Sequence, residues 1–221
     1  MPVEPLPSRF ELPDPRSVDD DVIAIGGDLA PGTILQAYRR GMFPMPLPTG
    51  ELAWWSPVER AILPLDHLRI SRSLRKSVRR FDITVDQDFE RVIDACADPG
   101  RPQGWITEGI RDAYVELHKM GWAHSVEVWN REVGLAGGLY GVSIGGLFAG
   151  ESMFHEVRDA SKVALVHLVV ILSSRPGCLL DVQWLTPHLE RMGAQAIGRD
   201  EYLSRLTPAL EISSPFGDDG R

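Results

Sequence analysis

Two short segments combine apolar residues with polar side chains that could act in catalysis. The first, Gly150 to His155, contains Glu151, and the second, Leu179 to Gln183, is an apolar run that ends in Asp181 and Gln183. Residues two apart in a strand point to the same side, so the side chains of Asp181 and Gln183 are expected to face one cleft. A carboxylate beside a carboxamide can orient a nucleophile or draw on its proton. The alternatives are an Asp–Gln pair that closes a strand end and, for Glu151, a capping acid.

The charge of the chain is unevenly distributed. With 31 acidic and 23 basic residues the net charge is -8, which argues against a general nucleic-acid-binding protein. Residues 69–80 nevertheless hold six basic side chains and no acid. On a helix these would lie opposite one apolar face, formed by Ile70, Leu74, Val78 and Phe81. A solvated face normally mixes both signs, so this helix is expected to contact a polyanion, through Arg72, Arg75, Lys76, Arg79 and Arg80.

The overall composition excludes several classes of protein. Hydrophobic content of 43% and charged content of 24% are typical of a soluble globular protein. No apolar run approaches the roughly 20 residues of a membrane span, and the N-terminus lacks the pattern of a secretory signal. Cys96 and Cys178 are therefore expected to be separate thiols in a cytoplasmic protein. The six histidines are scattered without metal-ligand spacing, and no Walker-type loop appears, so neither a metal nor another cofactor is expected.

The pattern of helices and strands predicts an α+β fold with a mostly antiparallel sheet. Ser71 and Thr107 are predicted to cap helices, and a hairpin is predicted across Gly145 and Gly146. Asp159 is predicted to cap a buried apolar helix. The proline- and glycine-rich stretch 98–102 is the predicted hinge. It divides the chain into an N-terminal domain, residues 1–98, with the basic helix, and a catalytic domain, residues 99–221.

Five segments, taken in their order along the chain, identify a family. They are Ile25-Gly26-Gly27-Asp28-Leu29, Tyr38 to Pro44, Trp54-Trp55-Ser56-Pro57, the passage from Gly150 through Lys162, and Leu179 to Gln183. Together they resemble the bacterial leucyl/phenylalanyl-tRNA–protein transferases, the aminoacyltransferases of the N-end rule, from about residue 23 to 206. The resemblance implies a small N-terminal domain and a C-terminal domain similar to the GCN5-related acetyltransferase fold. Val182 departs from the family, which usually has cysteine there, and this excludes a cysteine nucleophile at that position.

The resemblance also implies an activity. Such an enzyme transfers leucine or phenylalanine, and also methionine, from aminoacyl-tRNA to the N-terminal Arg or Lys of acceptor proteins. The new peptide bond marks those proteins for degradation. The reaction needs no cofactor, since the aminoacyl ester is already activated. A monomer that does not bind membranes is expected.

Specific roles follow from the same resemblance. The Asp181 carboxylate would polarise the Gln183 carboxamide, whose oxygen draws on the incoming α-amino group, while Glu151 would lie near the aminoacyl ester. Trp105 would lie near the terminal adenosine, where an aromatic ring can stack on a base. The aminoacyl side chain would occupy an apolar pocket formed by Leu139, Met153, Leu168 and Phe148.

The residues alone leave two other classes of protein as alternatives. An acetyl-CoA-dependent N-acetyltransferase needs a glycine-containing pyrophosphate turn at a helix start. Here the corresponding helix begins Arg158-Asp159-Ala160-Ser161-Lys162, with an acid and no glycine, and the glycines lie in the predicted hairpin instead. A non-catalytic RNA-binding module would explain the basic helix but would leave Glu151, Asp181 and Gln183 without a role.

Overall fold

The computed structural model describes residues 1–100 and 104–216. The N-terminal part contains a small antiparallel sheet of three strands in the order β1-β3-β2, together with one helix. Its elements are β1 (Val22–Ile25), α1 (Pro31–Arg39), β2 (Phe43–Pro46) and β3 (Leu52–Trp55).

The remaining strands form one sheet of seven, in the order β10-β4-β9-β8-β7-β6-β5. Its strands are β4 (Glu59–Ile62), β5 (Asp82–Val85), β6 (Ala123–Asn130), β7 (Gly134–Ile144), β8 (Leu147–His155), β9 (Leu179–Gln183) and β10 (Gln195–Gly198). Neighbouring strands are antiparallel except β8 and β9, which run parallel. A parallel pair needs a crossover, and the apolar helix α5 (Ala160–Leu172) provides it.

Helices cover both faces of the large sheet. One face packs against α3 (Phe89–Cys96) and α4 (Glu108–Lys119), in a core that also takes in α1. The other face packs against α5, α2 (Arg72–Val78) and α6 (Pro187–Met192). The last helix, α7 (Arg199–Leu210), packs at the β10–β4 edge. The prediction of an α+β protein with a small N-terminal part and a larger sheet domain is confirmed.

Local predictions are mostly confirmed. The Ser71 and Thr107 hydroxyls accept hydrogen bonds from the backbone N–H groups three residues on, at 3.2 and 3.3 Å. The hairpin turns at Gly145, where φ is +59° and an added Cβ would lie 2.3 Å from the Leu210 carbonyl oxygen. That position therefore requires glycine. Cys96 and Cys178, which both lie among the described residues, are not joined by a disulfide, and Cys96 is buried.

Asp159 is the N-cap residue of α5, as predicted, but the capping hydrogen bond predicted for its carboxylate is wrong. Asp159 adopts a left-handed backbone conformation with φ of +71°, and its side chain makes no capping hydrogen bond. Its carboxylate instead accepts hydrogen bonds from Lys162 Nζ at 2.9 Å and Ser77 Oγ at 3.1 Å. These contacts turn the carboxylate away from the helix end and tie α2 to the start of α5.

The predicted hinge lies partly outside the described residues, at positions 101 and 102. The change from the small sheet to the large one falls between β3 and β4, since β4 and β5 both belong to the large sheet. A domain boundary at residues 98–99 stays a prediction, and the sheet topology does not favour it.

Candidate active site

A cavity of about 960 Å³ lies between the small sheet and the large one. The last paired residues of the parallel strands are Ala149 and Asp181, but β8 continues to His155 and β9 to Gln183. The two strands therefore separate, and one side of the cavity forms in the gap. The opposite wall comes from residues 43–48 of β2 and the loop after it.

Gln183 sits at the edge of this gap in an unusual conformation. Its φ is +62°, a left-handed value that is uncommon for a residue other than glycine. The conformation is held because the Asp181 carboxylate accepts the backbone N–H of Gln183 at 2.9 Å. The Gln183 side chain lines the cavity, and its Nε2 donates to Glu151 Oε1 at 2.8 Å.

Glu151 lies on the cavity wall but is surrounded by neutral donors. Its second oxygen accepts a hydrogen bond from the Tyr114 hydroxyl at 3.1 Å, and that hydroxyl lies 2.5 Å from the hydroxyl of Tyr38. Burial disfavours the charged carboxylate and raises the pKa of Glu151 to about 8. Burial and the neighbouring Glu151 likewise raise the pKa values of both tyrosines well above the ordinary value, so these hydroxyls remain donors.

Asp181 lies deeper and has a charged partner. Its two oxygens accept from Arg60 Nε at 2.8 Å and Nη2 at 2.6 Å, and the Tyr202 hydroxyl adds a third bond at 2.9 Å. The Arg60 and Asp181 side chains are 1% and 0% exposed. The guanidinium also lies over the rings of Phe43 and Tyr202, at 4.6 and 4.5 Å. Burial opposes the charge of Arg60, but the Asp181 carboxylate outweighs burial and raises the pKa of Arg60.

The expectation that both side chains of the Asp181–Gln183 pair face one cleft is wrong for Asp181. Asp181 is fully buried and is not among the residues that line the cavity. The alternation of side chains assumes an extended backbone, and this breaks at the left-handed Gln183. Asp181 contacts the backbone of Gln183, and the carboxylate that contacts its carboxamide is Glu151.

The predicted aminoacyl pocket is partly assembled. Leu139, Met153 and Leu168 line the cavity, whereas Phe148 does not. Phe148 is fully buried and packs against Phe216 with ring centroids 5.5 Å apart. The described end of the chain therefore packs against this core through Phe216.

Tryptophans also border the cavity. Trp105, predicted to meet the terminal adenosine, lines it together with Trp55 and Trp184. Trp184 contacts Trp55 edge to face at 5.8 Å. Trp54 is buried and donates its indole N–H to the Gly26 carbonyl at 2.9 Å, so packing is its role. The role of Trp105 stays a prediction.

The basic helix lies on the same face of the large sheet as α5. Leu74 is buried there, and Ile70, Val78 and Phe81 pack against the same core. The five predicted polyanion contacts are all exposed, and none has an ion pair within the described part of the chain. They are Arg72, Arg75, Lys76, Arg79 and Arg80.

Sequence reasoning missed the groups that fix the site. Arg60 and Asp181 are 121 positions apart, and Tyr114 and Glu151 are 37 apart, so no local spacing links them. The one local signal was an arginine inside an apolar strand, at Arg60. His188, which also lines the cavity, was overlooked as one of several scattered histidines.

Within residues 1–100 and 104–216, no group of three His, Cys, Asp or Glu side chains is placed to hold a metal ion. No helix in these same residues has the length and apolar character needed to cross a membrane.

Comparison with known proteins identifies the family. A sequence model described as leucyl/phenylalanyl-tRNA protein transferase matches residues 62–207, and a model of that family's N-terminal domain matches residues 27–58. A leucyl/phenylalanyl-tRNA–protein transferase of Anaeromyxobacter sp. (strain K) is 48% identical, over 96% of this chain and 93% of that protein. One of Syntrophus aciditrophicus (strain SB) is 44% identical, over 95% and 90%.

Among solved structures, L-PGS from Bacillus licheniformis matches with a TM-score of 0.42 and 12% identity, over 69% of this chain and 64% of that one. That likeness is too distant to add to the assignment. The two family models and the two relatives are sufficient: the chain is an aminoacyltransferase and belongs to the leucyl/phenylalanyl-tRNA protein transferase family.

Proposed function

We propose that this aminoacyltransferase moves leucine, phenylalanine or methionine from aminoacyl-tRNA to the N-terminal Arg or Lys of acceptor proteins. In this proposal the reaction takes place in the cytoplasm, and the added residue marks the acceptor for degradation under the N-end rule. A net charge of -8 supports cationic acceptors, because an acidic protein attracts them.

The proposed chemistry centres on the carboxamide of Gln183. Its Oε1 has no hydrogen-bond partner among the described residues, while its Nε2 is held by Glu151. Oε1 accepts a hydrogen bond from the neutral α-amino group and directs the nitrogen lone pair at the ester carbonyl carbon. The new C–N bond forms as the ester C–O bond breaks, and the proton lost by the amine ends on the ribose oxygen.

Three groups prepare Gln183 for this step. Ionised Glu151, hydrogen-bonded to Nε2, polarises the amide and strengthens Oε1 as an acceptor. Asp181 holds the backbone of Gln183 and, fixed by Arg60, acts as a positioning residue. The reference pKa of an α-amino group is about 7.7–8.0, so a useful fraction is neutral at cytoplasmic pH and no metal-activated base is required.

The shape of the cavity supports the proposed donors. Leu139, Met153 and Leu168 give an apolar wall that includes a flexible thioether, which adapts to unbranched or planar side chains. Trp105 offers a face for the terminal adenine. The unpaired cations of the basic helix are suited to the tRNA backbone.

One observation carries the proposal: the Gln183 carboxamide is held by Glu151, its backbone N–H is held by Asp181, and its Oε1 borders the apolar cavity without a hydrogen-bond partner among the described residues. The test is incubation of the pure protein with leucyl-tRNA and peptides beginning with Arg, Lys or Ala. We expect the first two peptides to gain one leucine by mass and the third to remain unchanged. Gain of an acetyl group from acetyl-CoA without leucine transfer would contradict the proposal.

The role of Gln183 has its own test. Gln183→Ala removes the acceptor oxygen and should slow single-turnover leucine transfer by about 10²–10⁴ while leaving leucyl-tRNA affinity nearly unchanged. Gln87→Ala, at an exposed glutamine outside the cavity, is the matched control and should keep the wild-type rate. A Gln183→Ala rate within threefold of wild type would remove Gln183 from the chemical step.

A further inference from the structure

A patch of cations with no acid among them lies on one face of this acidic protein. Several arginines elsewhere have carboxylate partners, as Arg39 has Glu4, Arg111 has Asp94 and Arg205 has Glu201. The basic helix has none, and exposed Arg191 at the end of α6 also has no ion pair within the described residues. A fold that leaves charges of one sign unpaired on one face fits a ligand of the opposite sign.

Two hydrogen bonds join the basic helix and the segment just before it to helices that border the cavity. At one end of the helix, Ser77 Oγ donates to Asp159 Oδ2 at 3.1 Å, and Lys162 Nζ contacts the same carboxylate at 2.9 Å. Just before its start, the backbone N–H of Arg69 donates to the Met192 carbonyl at 2.8 Å, directly after Arg191. The helix is thus tied both to the first turn of α5 and to the last turn of α6.

Those two helices border the cavity. His188 and Leu189 of α6 line it, as do Leu165 and Leu168 of α5. Burial lowers the pKa of His188, and the positive charges of Lys162, Arg191 and His155 lower it further. Arg191 lies three residues after His188 on α6, and Lys162 lies three residues before Leu165 on α5, so both cations are on the cavity side of their helices. The neutral imidazole of His188 keeps one N–H donor. We call Lys162, His188 and Arg191 the mouth cluster.

We propose that the mouth cluster binds phosphate groups in the single-stranded 3′ end of the donor RNA, between the basic helix and the cavity. This inference rests on the proposed function. The terminal nucleoside must reach Gln183 while the helix holds a more distant part of the backbone, so the intervening phosphodiesters cross the rim. Lys162 and Arg191 supply positive charge there, and His188 supplies a hydrogen-bond donor.

The positive charge of the mouth cluster favours the donor RNA over the acceptor protein. An acceptor that begins with Arg or Lys brings a cationic side chain beside its α-amino group, which the mouth cluster would repel. The nearby acids do not reverse this sign, because Asp159 offsets only the charge of Lys162, Glu190 lies exposed on α6, and Arg191 has no ion pair among the described residues. The donor RNA therefore enters over the cluster, and the acceptor approaches from another side.

The test uses three non-hydrolysable donors of increasing length: the 3′-leucyl-amide analogues of adenosine, of the trinucleotide CpCpA and of full tRNA. Affinity is measured against salt for wild type, Arg191→Gln, and Lys162→Gln with Arg191→Gln. Each lost phosphate contact should reduce the log–log salt slope for the trinucleotide by about 0.7. Affinity for the adenosine analogue, which has no phosphate, should not change.

Two controls make the result specific. Lys119→Gln removes an exposed cation on α4, at the opposite face of the sheet, and should change none of the three slopes. Changing Arg72, Arg75 and Arg79 together to Gln should reduce the slope for tRNA but not for the trinucleotide. An unchanged trinucleotide slope in the double variant would overturn the proposed subsite. Failure of wild type to transfer leucine from tRNA at all would instead overturn the proposed function.

Discussion

Two buried carboxylates on neighbouring strands have opposite surroundings. Asp181 on β9 is enclosed by Arg60, Tyr202 and a backbone N–H, with none of its surface exposed. Among the described residues, Glu151 on β8 accepts hydrogen bonds from neutral donors; it lines the cavity, and burial raises its pKa to about 8. The charge of Asp181 is balanced by the Arg60 guanidinium, whereas Glu151 has no cationic hydrogen-bond partner among the described residues.

This difference distinguishes a carboxylate that positions the site from one that can take part in proton transfer. A buried carboxylate paired with a cation is fixed, and removal of its partner leaves an uncompensated charge. A buried carboxylate without a cation has a pKa close to the working pH, which suits a group that takes part in proton transfer. In the proposed mechanism Asp181 is therefore a positioning residue, and Glu151 acts on the chemistry at Gln183.

The largest expected effect comes from breaking the buried ion pair. Arg60→Ala leaves Asp181 buried without its cation and should lower the free energy of unfolding by about 3–5 kcal/mol. The measurement is urea denaturation followed by circular dichroism. Arg205→Ala, which breaks an exposed pair with Glu201, is the control and should cost at most about 1 kcal/mol. Equal losses in the two variants would show that the buried pair does not hold the site.

Glu151 should make stability depend on pH in the opposite sense to an ordinary paired acid. Its folded pKa of about 8 lies above the ordinary glutamate pKa of 4.5, so between these values the folded state binds more protons than the unfolded state. Stability should therefore fall as pH rises through this window, by up to about 1.4 kcal/mol per pH unit from this group.

Glu151→Gln removes that titration and gives the check. The free energy of unfolding of the variant minus that of wild type should increase from pH 5 to pH 8. The comparison between proteins cancels groups that titrate in both. A difference that stays constant over this range would mean that Glu151 is ionised throughout and that its surroundings do not resemble those described above.

The smallest expected effect is at Val182, between the two site residues. Val182 lines the cavity, and cysteine is slightly smaller and apolar enough to take its place. Because no step uses a thiol, Val182→Cys should change the single-turnover rate by less than about threefold, and alkylation of the new thiol should slow transfer only through bulk. A large gain in rate on introduction of the thiol would point to chemistry that the carboxylates do not supply.

The sequence predicted what depends on neighbours along the chain. The caps at Ser71 and Thr107, the hairpin at Gly145 and the apolar face of α2 each follow from residues within one turn or strand. The capping hydrogen bond predicted for the Asp159 carboxylate does not form, because Lys162, three residues on, and Ser77, from another helix, bind that carboxylate instead.

The site itself depends on contacts that no local pattern contains. The cavity arises where two parallel strands separate, and the pairing of those strands is known only from the fold. The different surroundings of Asp181 and Glu151 depend on Arg60, which lies on β4, 121 positions from Asp181 along the chain. Composition and spacing could name the carboxylates, but only tertiary structure shows which has a cation beside it.

The most direct test of the account is the pH dependence of single-turnover leucine transfer to an Arg-starting peptide. Wild type should need two ionisations, of the acceptor amine near 7.7–8.0 and of Glu151 near 8. The slope of log rate against pH should then approach about two below pH 7. Glu151→Gln should be slower by about 10² at pH 8 and show a slope of about one. A wild-type slope of one, or an unchanged slope in Glu151→Gln, would contradict the claim that Glu151 drives the chemistry at Gln183.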